Sequence, residues 1–171
     1  MLSTIQDLQT RRSVRKFKDE QISEELLAQI LDAGKNAPSG MGKQSAIMVV
    51  LQDKEAIAKV SKMNAAVMGR DGDPFYGAPT VVVVLADRSW GTAKEDGCLV
   101  MGNLLNAAYA AGLGGCWVNR AYEVFETEEG KALLKSWGIE GDYFGIGNCI
   151  LGVPDDAPAA KPWKENYVYR V

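Results

Sequence analysis

The chain has no histidine among its 171 residues. That absence excludes Ser-His-Asp and Cys-His nucleophile systems. It equally excludes H-E-x-x-H zinc hydrolysis and histidine-ligated iron. An enzyme built from this chain works with carboxylates, lysine or tyrosine, or with a borrowed cofactor. Cysteine is scarce as well. Cys98, Cys116 and Cys149 are far apart, odd in number and form no C-x-x-C pair, so reduced thiols in apolar surroundings are expected. There is no basic surplus: 19 Lys and Arg stand against 22 Asp and Glu, a net charge of −3. That balance argues against nucleic acid as the main partner. No apolar run reaches the length of a membrane span. Met1–Gln6 lacks a signal-peptide pattern, so the expected location is cytoplasmic, with no membrane partner.

Glycine-rich nucleotide fingerprints are missing too. Gly112-Leu113-Gly114-Gly115 is not G-x-G-x-x-G and follows a helical segment rather than a strand. Gly40-Met41-Gly42-Lys43 has neither the spacing nor the Ser/Thr of a P-loop. No spaced pair of carboxylates stands out for acid–base work. Asp96, at the start of a long helical segment, reads as a dipole partner or cap.

What is present is an ordinary globular composition, 47% hydrophobic and 24% charged. The length suits one domain over residues 1–171, with residues 152–171 as an extended C-terminal arm. A short helix is expected over residues 3–10. A second begins after the N-cap Ser23, carries Leu26, Leu27, Ile30 and Leu31 on one stripe, and stops near Ala37 ahead of Pro38. Ala46–Leu51 reads as a buried strand. Asp53 caps a helix over 54–68, with Ile57, Val60, Met63 and Val67 on one side. A loop rich in Gly, Asp and Pro spans 69–79. Thr80–Ala86 is apolar on both faces and belongs in the centre of a sheet. A long helix rich in small residues covers 94–111, with Leu99, Leu104, Leu105 and Ala108 apolar, as a core or subunit-interface element. Cys116–Val118 is a short strand. Thr127 caps a helix ending near Gly138, and Phe144–Leu151 is the last central strand. Tyr167–Val171 alternates like a terminal strand, either an added edge or an arm reaching a second subunit. About four strands among helices indicate an α+β domain around a central sheet.

The densest chemistry lies in Arg11-Arg12-Ser13-Val14-Arg15-Lys16-Phe17. Three guanidiniums and a hydroxyl fall within five residues, and each guanidinium is a planar fork that fits phosphate or carboxylate oxygens. A local basic excess in an acidic protein suits a small anion. This cluster is followed by Ala37-Pro38-Ser39-Gly40-Met41-Gly42-Lys43-Gln44. Then come Gly112-Leu113-Gly114-Gly115-Cys116-Trp117, Gly152-Val153-Pro154 and Lys161-Pro162-Trp163-Lys164.

In this order and at these separations the set resembles the nitroreductase family of FMN-dependent oxidoreductases, from about residue 4 to 170. The resemblance implies an α+β sandwich with a central mixed β-sheet flanked by helices. It implies a homodimer that exchanges C-terminal arms and holds two FMN molecules in its interface. Arg11, Arg12, Ser13 and Arg15 match positions that hold the flavin phosphate, ribityl chain and pyrimidine edge. Pro38, Ser39 and Gly40 match a loop reaching the flavin from the partner subunit, with Gln44 a nearby polar position. Cys116, Trp117 and Val118 match the segment along the isoalloxazine ring, and Lys164 a basic residue near the phosphate. Arg15 or Lys16 is the candidate cation for the flavin N1 edge. The implied reaction takes hydride from NADH or NADPH and passes electrons to a small acceptor such as a nitroaromatic or quinone. Dehydrogenation, reductive removal of a substituent and flavin storage are the alternative redox tasks. The chain departs from the family pattern at Gly42, where asparagine is frequent, at Ser45-Ala46 in place of Pro-Trp, and at Trp163 in place of arginine. It is also short, so residues 64–78 and 87–95 are the candidate lid.

Overall fold

Valine alternation organises the molecule. In the computed structural model, which describes residues 4–171, the strand Thr80–Asp87 (β2) lies inside a four-stranded sheet. Its even-numbered residues Val82, Val84 and Ala86 enter one apolar cluster, and Val81, Val83 and Leu85 enter another. Side chains two apart share a face, so one uninterrupted apolar strand supplies two cores.

The other strands are Ala46–Leu51 (β1), Gly114–Val118 (β3) and Tyr143–Gly152 (β4), in the spatial order β1-β2-β4-β3. All three ladders are antiparallel. The expected mixed character survives only as an isolated parallel bridge between Ser13 and Gly115. β1 is half-buried along most of its length, not fully buried as its apolar sequence suggested, because it is an edge strand. Ile146 is an extra residue in β4: Val84 pairs Gly147 and Leu85 pairs Gly145, which leaves Ile146 as a bulge. Its side chain fills the space over Gly97, where an added Cβ would stand 2.4 Å from it.

Helices cover both faces, which makes the sandwich. Glu24–Lys35 (α2) and Ala93–Ala110 (α4) pack on the side of Val82 and Val84. Lys54–Met68 (α3), Ala121–Glu126 (α5) and Glu128–Ser136 (α6) pack on the other. The caps fall where the sequence placed them. Ser23, Asp53 and Thr127 accept the backbone N–H of Leu26, Ala56 and Gly130. α2 stops at Lys35, with Asn36 and Ala37 closing its last carbonyls ahead of Pro38. The first helix is Thr4–Thr10 (α1); the expected start at Ser3, like the Met1–Ser3 part of the leader reading, lies outside the described residues. α5 escaped the sequence reading because it is short and begins after Arg120, a non-glycine residue at φ 80°. Leu99 is 45% exposed on α4, so of the two expected places for this helix, core or subunit interface, it does not belong to the core.

Residues 155–171 form no strand. The alternation of Tyr167–Val171 therefore does not build a local edge, and Trp163, Tyr167, Val168 and Tyr169 are exposed. The three cysteines are free thiols. Among the described residues no helix is long and apolar enough to cross a membrane.

Candidate cofactor site

The arginine arm is stitched to the open edge of the sheet. The Val14 N–H donates to the Gly115 carbonyl (3.1 Å), Lys18 N–H to Val153 and Asp155 N–H to Lys16. Val14 fills the space beside Gly114, where a Cβ would meet its side chain at 2.8 Å. An extended segment fixed in this way sends alternate side chains to opposite sides. Val14 goes into the interior, and Ser13 and Arg15 share the other parity, whereas Arg11 still belongs to the end of α1, its N–H donating to the Asp7 carbonyl (2.9 Å).

Their surroundings differ. Arg11 is half-buried, and its Nη1 is buried without a hydrogen-bond partner among the described residues. The Arg12 Nη1 donates to the carbonyls of Gln9 (2.9 Å) and Arg11 (2.7 Å), so this group is engaged at the end of α1. Ser13 forms the bridge to Gly115. Arg15 is exposed, with its Cζ 6.0 Å from the centroid of Tyr76. The segment Cys116-Trp117-Val118 divides by parity. Cys116 and Val118 are buried in the cluster under α3, α5 and α6, whereas Trp117 is half-buried on the α4 side. Gly147 makes room for Trp117: a Cβ there would lie 2.4 Å from the indole Nε1. Burial pushes the Cys149 thiol far up, so it stays protonated.

The Pro38–Gln44 loop sits elsewhere. A buried carboxylate holds it: Asp96 Oδ1 accepts from the Gly40 N–H (2.9 Å), and Oδ2 from the hydroxyls of Ser45 (2.6 Å) and Thr92 (3.3 Å). Burial raises the Asp96 carboxyl, but the donors from Ser45, Gly40 and Thr92 outweigh it, and the net shift is downward. Asp96 is therefore an organiser of this loop, a role its sequence position alone did not disclose. The loop is conformationally demanding. Met41 and Gln44 both have φ 52°, and Gly40 lies so close to Thr92 that a Cβ would fall 2.2 Å from its hydroxyl. The Ser39 hydroxyl accepts the Gln44 N–H (3.0 Å), and the Lys43 ammonium stands 4.8 Å from the Trp90 ring centroid. Pro38, Ser39 and Gln44 line a cavity of about 300 Å³ together with Met48, Asp96 and Val100.

α4 separates the two halves. Tyr109, in its last turn, donates to the Thr10 hydroxyl beside the arginine arm, while Asp96 in its first turn holds the loop. At 1.5 Å per residue these ends stand about 20 Å apart. One protomer thus keeps Arg11–Arg15 and Pro38–Gln44 at opposite ends of one helix. Lys164 is on the exposed C-terminal segment, its ammonium 5.5 Å from the Tyr167 ring, and among the described residues it forms no hydrogen bond or ion pair with the arginine arm.

Residues 8–153 match the model of the Nitroreductase family. The chain belongs to this family. The FMN reductase (NAD(P)H) of Bacillus subtilis is 33% identical over 189 aligned positions, covering 95% of this chain and 70% of that protein. A crystal structure of a nitroreductase with bound FMN from Desulfitobacterium hafniense superimposes with a TM-score of 0.89 at 26% identity, over 100% of both chains. A nitroreductase from Bacteroides fragilis reaches 0.91 over 100% of both chains at 24% identity, which supports the nitroreductase fold. The antiparallel sheet and its two helical layers are this fold.

Proposed function

We propose that the protein is an FMN-dependent oxidoreductase. It draws reducing equivalents from NADH or NADPH and delivers them to a small acceptor of the nitroaromatic or quinone kind. When bound, FMN supplies the group that takes hydride from the nicotinamide and passes electrons on. The observation that carries the reading is Arg11. A buried guanidinium nitrogen without a partner costs free energy, and an anionic ligand removes that cost. A phosphate fits the donor set of Arg11, at the end of α1, and Ser13, bridged to Gly115 at the β3 edge.

Each segment then has a task. Arg11 and Ser13 hold the phosphate and ribityl portion. Arg15 brings its permanent charge to the pyrimidine edge, where negative charge accumulates on reduction. Trp117 is the apolar wall available on the α4 side. Pro38, Ser39, Gly40 and Gln44 complete the site from a second copy of this chain, since α4 keeps them from their own arm. Lys164 adds positive charge from the C-terminal segment. The family's homodimer is thus part of the proposal, as is a cytoplasmic location.

The test is spectroscopic. The purified protein is expected to be yellow or to become so with added FMN. Anaerobic NADH or NADPH should bleach it, and a quinone or nitroaromatic should restore the colour. A protein that stays colourless with excess FMN overturns the reading. A yellow protein that neither nucleotide reduces retains the flavin and rejects the NAD(P)H step.

A further inference from the structure

The loop 69–79 carries an aromatic residue in a conformation that aromatic residues avoid. Tyr76 has φ 55° and is 46% exposed, directly after Phe75, which is completely buried. A bulky L-residue in the left-handed region is strained by its own Cβ. The turn nevertheless keeps it there. Asp73 accepts the backbone N–H of Phe75 (2.9 Å) and of Gly77 (2.6 Å) on its carboxylate, and the N–H of Tyr76 (3.2 Å) on its carbonyl. The Ser61 hydroxyl donates to the same carboxylate (2.5 Å) and ties the turn to α3. The turn is therefore rigid, and the side chain it displays is exposed.

What the ring meets is Arg15. The guanidinium carbon lies 6.0 Å from the ring centroid, within range of a cation–π attraction. Among the described residues Arg15 forms no hydrogen bond or ion pair, so Tyr76 is its only polar or ring contact. A long, exposed side chain is otherwise free to sample many rotamers. Strain held in place by a surrounding network, at a residue touching a candidate binding group, points to a role in the site.

We propose that Tyr76 is a positioning residue: its ring holds the Arg15 guanidinium ready for the anionic edge of the cofactor. The inference rests on the FMN reading above and assigns a task to a loop that the arginine motif does not contain.

The experiment compares the parent with Tyr76→Gly and Tyr76→Phe, using FMN itself as the probe. Glycine accepts this φ without strain. Tyr76→Gly is expected to bind FMN about three- to fivefold more weakly, as befits one partly exposed cation–π contact. The thermal midpoint of the flavin-free protein should be unchanged or higher. Reduced flavin should be lost about threefold more than oxidised flavin, which moves the two-electron potential about 15 mV more negative at about 30 mV per tenfold. Tyr76→Phe keeps the ring and should match the parent in all three. An affinity within twofold of the parent overturns the inference, as does an unchanged potential, a lowered flavin-free midpoint, or a Phe variant as weak as the Gly variant. A parent that binds no FMN overturns the cofactor reading and this inference together.

Discussion

Arg11→Ala is expected to raise the dissociation constant for FMN about 10- to 150-fold, the loss of about 1.5–3 kcal/mol for a charged hydrogen-bond partner. The flavin-free protein should lose no stability. In the absence of a ligand the buried Nη1 has no acceptor among the described residues, so its removal takes away a cost. Arg11→Lys should recover only part of the affinity, because an ammonium keeps the charge without the planar fork. Fluorescence titration of FMN with each variant, beside thermal unfolding of the apoprotein, separates the two effects. A constant within twofold of the parent removes Arg11 from the site.

Asp96→Ala should act at the far end of α4 and on both quantities at once. It deprives the Gly40 amide and the Ser45 and Thr92 hydroxyls of their acceptor, and Ser45 is itself buried. A loss of about 2–4 kcal/mol follows from stranding the buried Ser45 hydroxyl and the half-buried Gly40 amide. In a chain of this size that is about 5–15 °C in thermal midpoint. FMN affinity should fall as well, because Ser39 and Gly40 lose their fixed geometry. The same carboxylate sets an acid limit. Its folded pKa lies below the ordinary 3.8, so its stabilising contribution is complete above that value and is lost as pH falls through the folded value. Flavin retention attributable to this loop should hold constant from neutral pH to about 4 and decline below it. Retention in Asp96→Ala equal to that of the parent at pH 7 contradicts the assignment.

Local signals and distant ones were unequally legible in the sequence. The N-caps Ser23, Asp53 and Thr127, the span of α3 and the central place of β2 follow from periodicity and capping, which act over a few neighbouring residues. The arginine arm was legible because its donors are consecutive. Asp96 was not: the groups that define its role, Gly40 and Ser45, are brought to it by the packing of the loop on α4, and in the sequence it is simply an acid in the first turn of a helix. Tyr76 was hidden for a similar reason, since its left-handed backbone depends on Asp73, and Asp73 in turn on Ser61 of α3. The Cys116–Val118 segment was placed correctly as a strand, but its division into two buried side chains and one half-buried indole on the α4 side needed the sheet. The half-burial of β1 and the exposure of Leu99 also follow from tertiary placement, an edge position and an outward helix face.

The strand β2 has a cost outside the native state. Thr80–Ala86 is uncharged, dominated by β-branched residues and free of glycine and proline, and in the fold it is covered on both faces and paired on both edges. A segment of this kind, once uncovered, is a template for cross-β stacking between chains. Partial unfolding that detaches β1 or β4 therefore exposes this template, and the yield of recovered native protein is expected to fall as chain concentration rises.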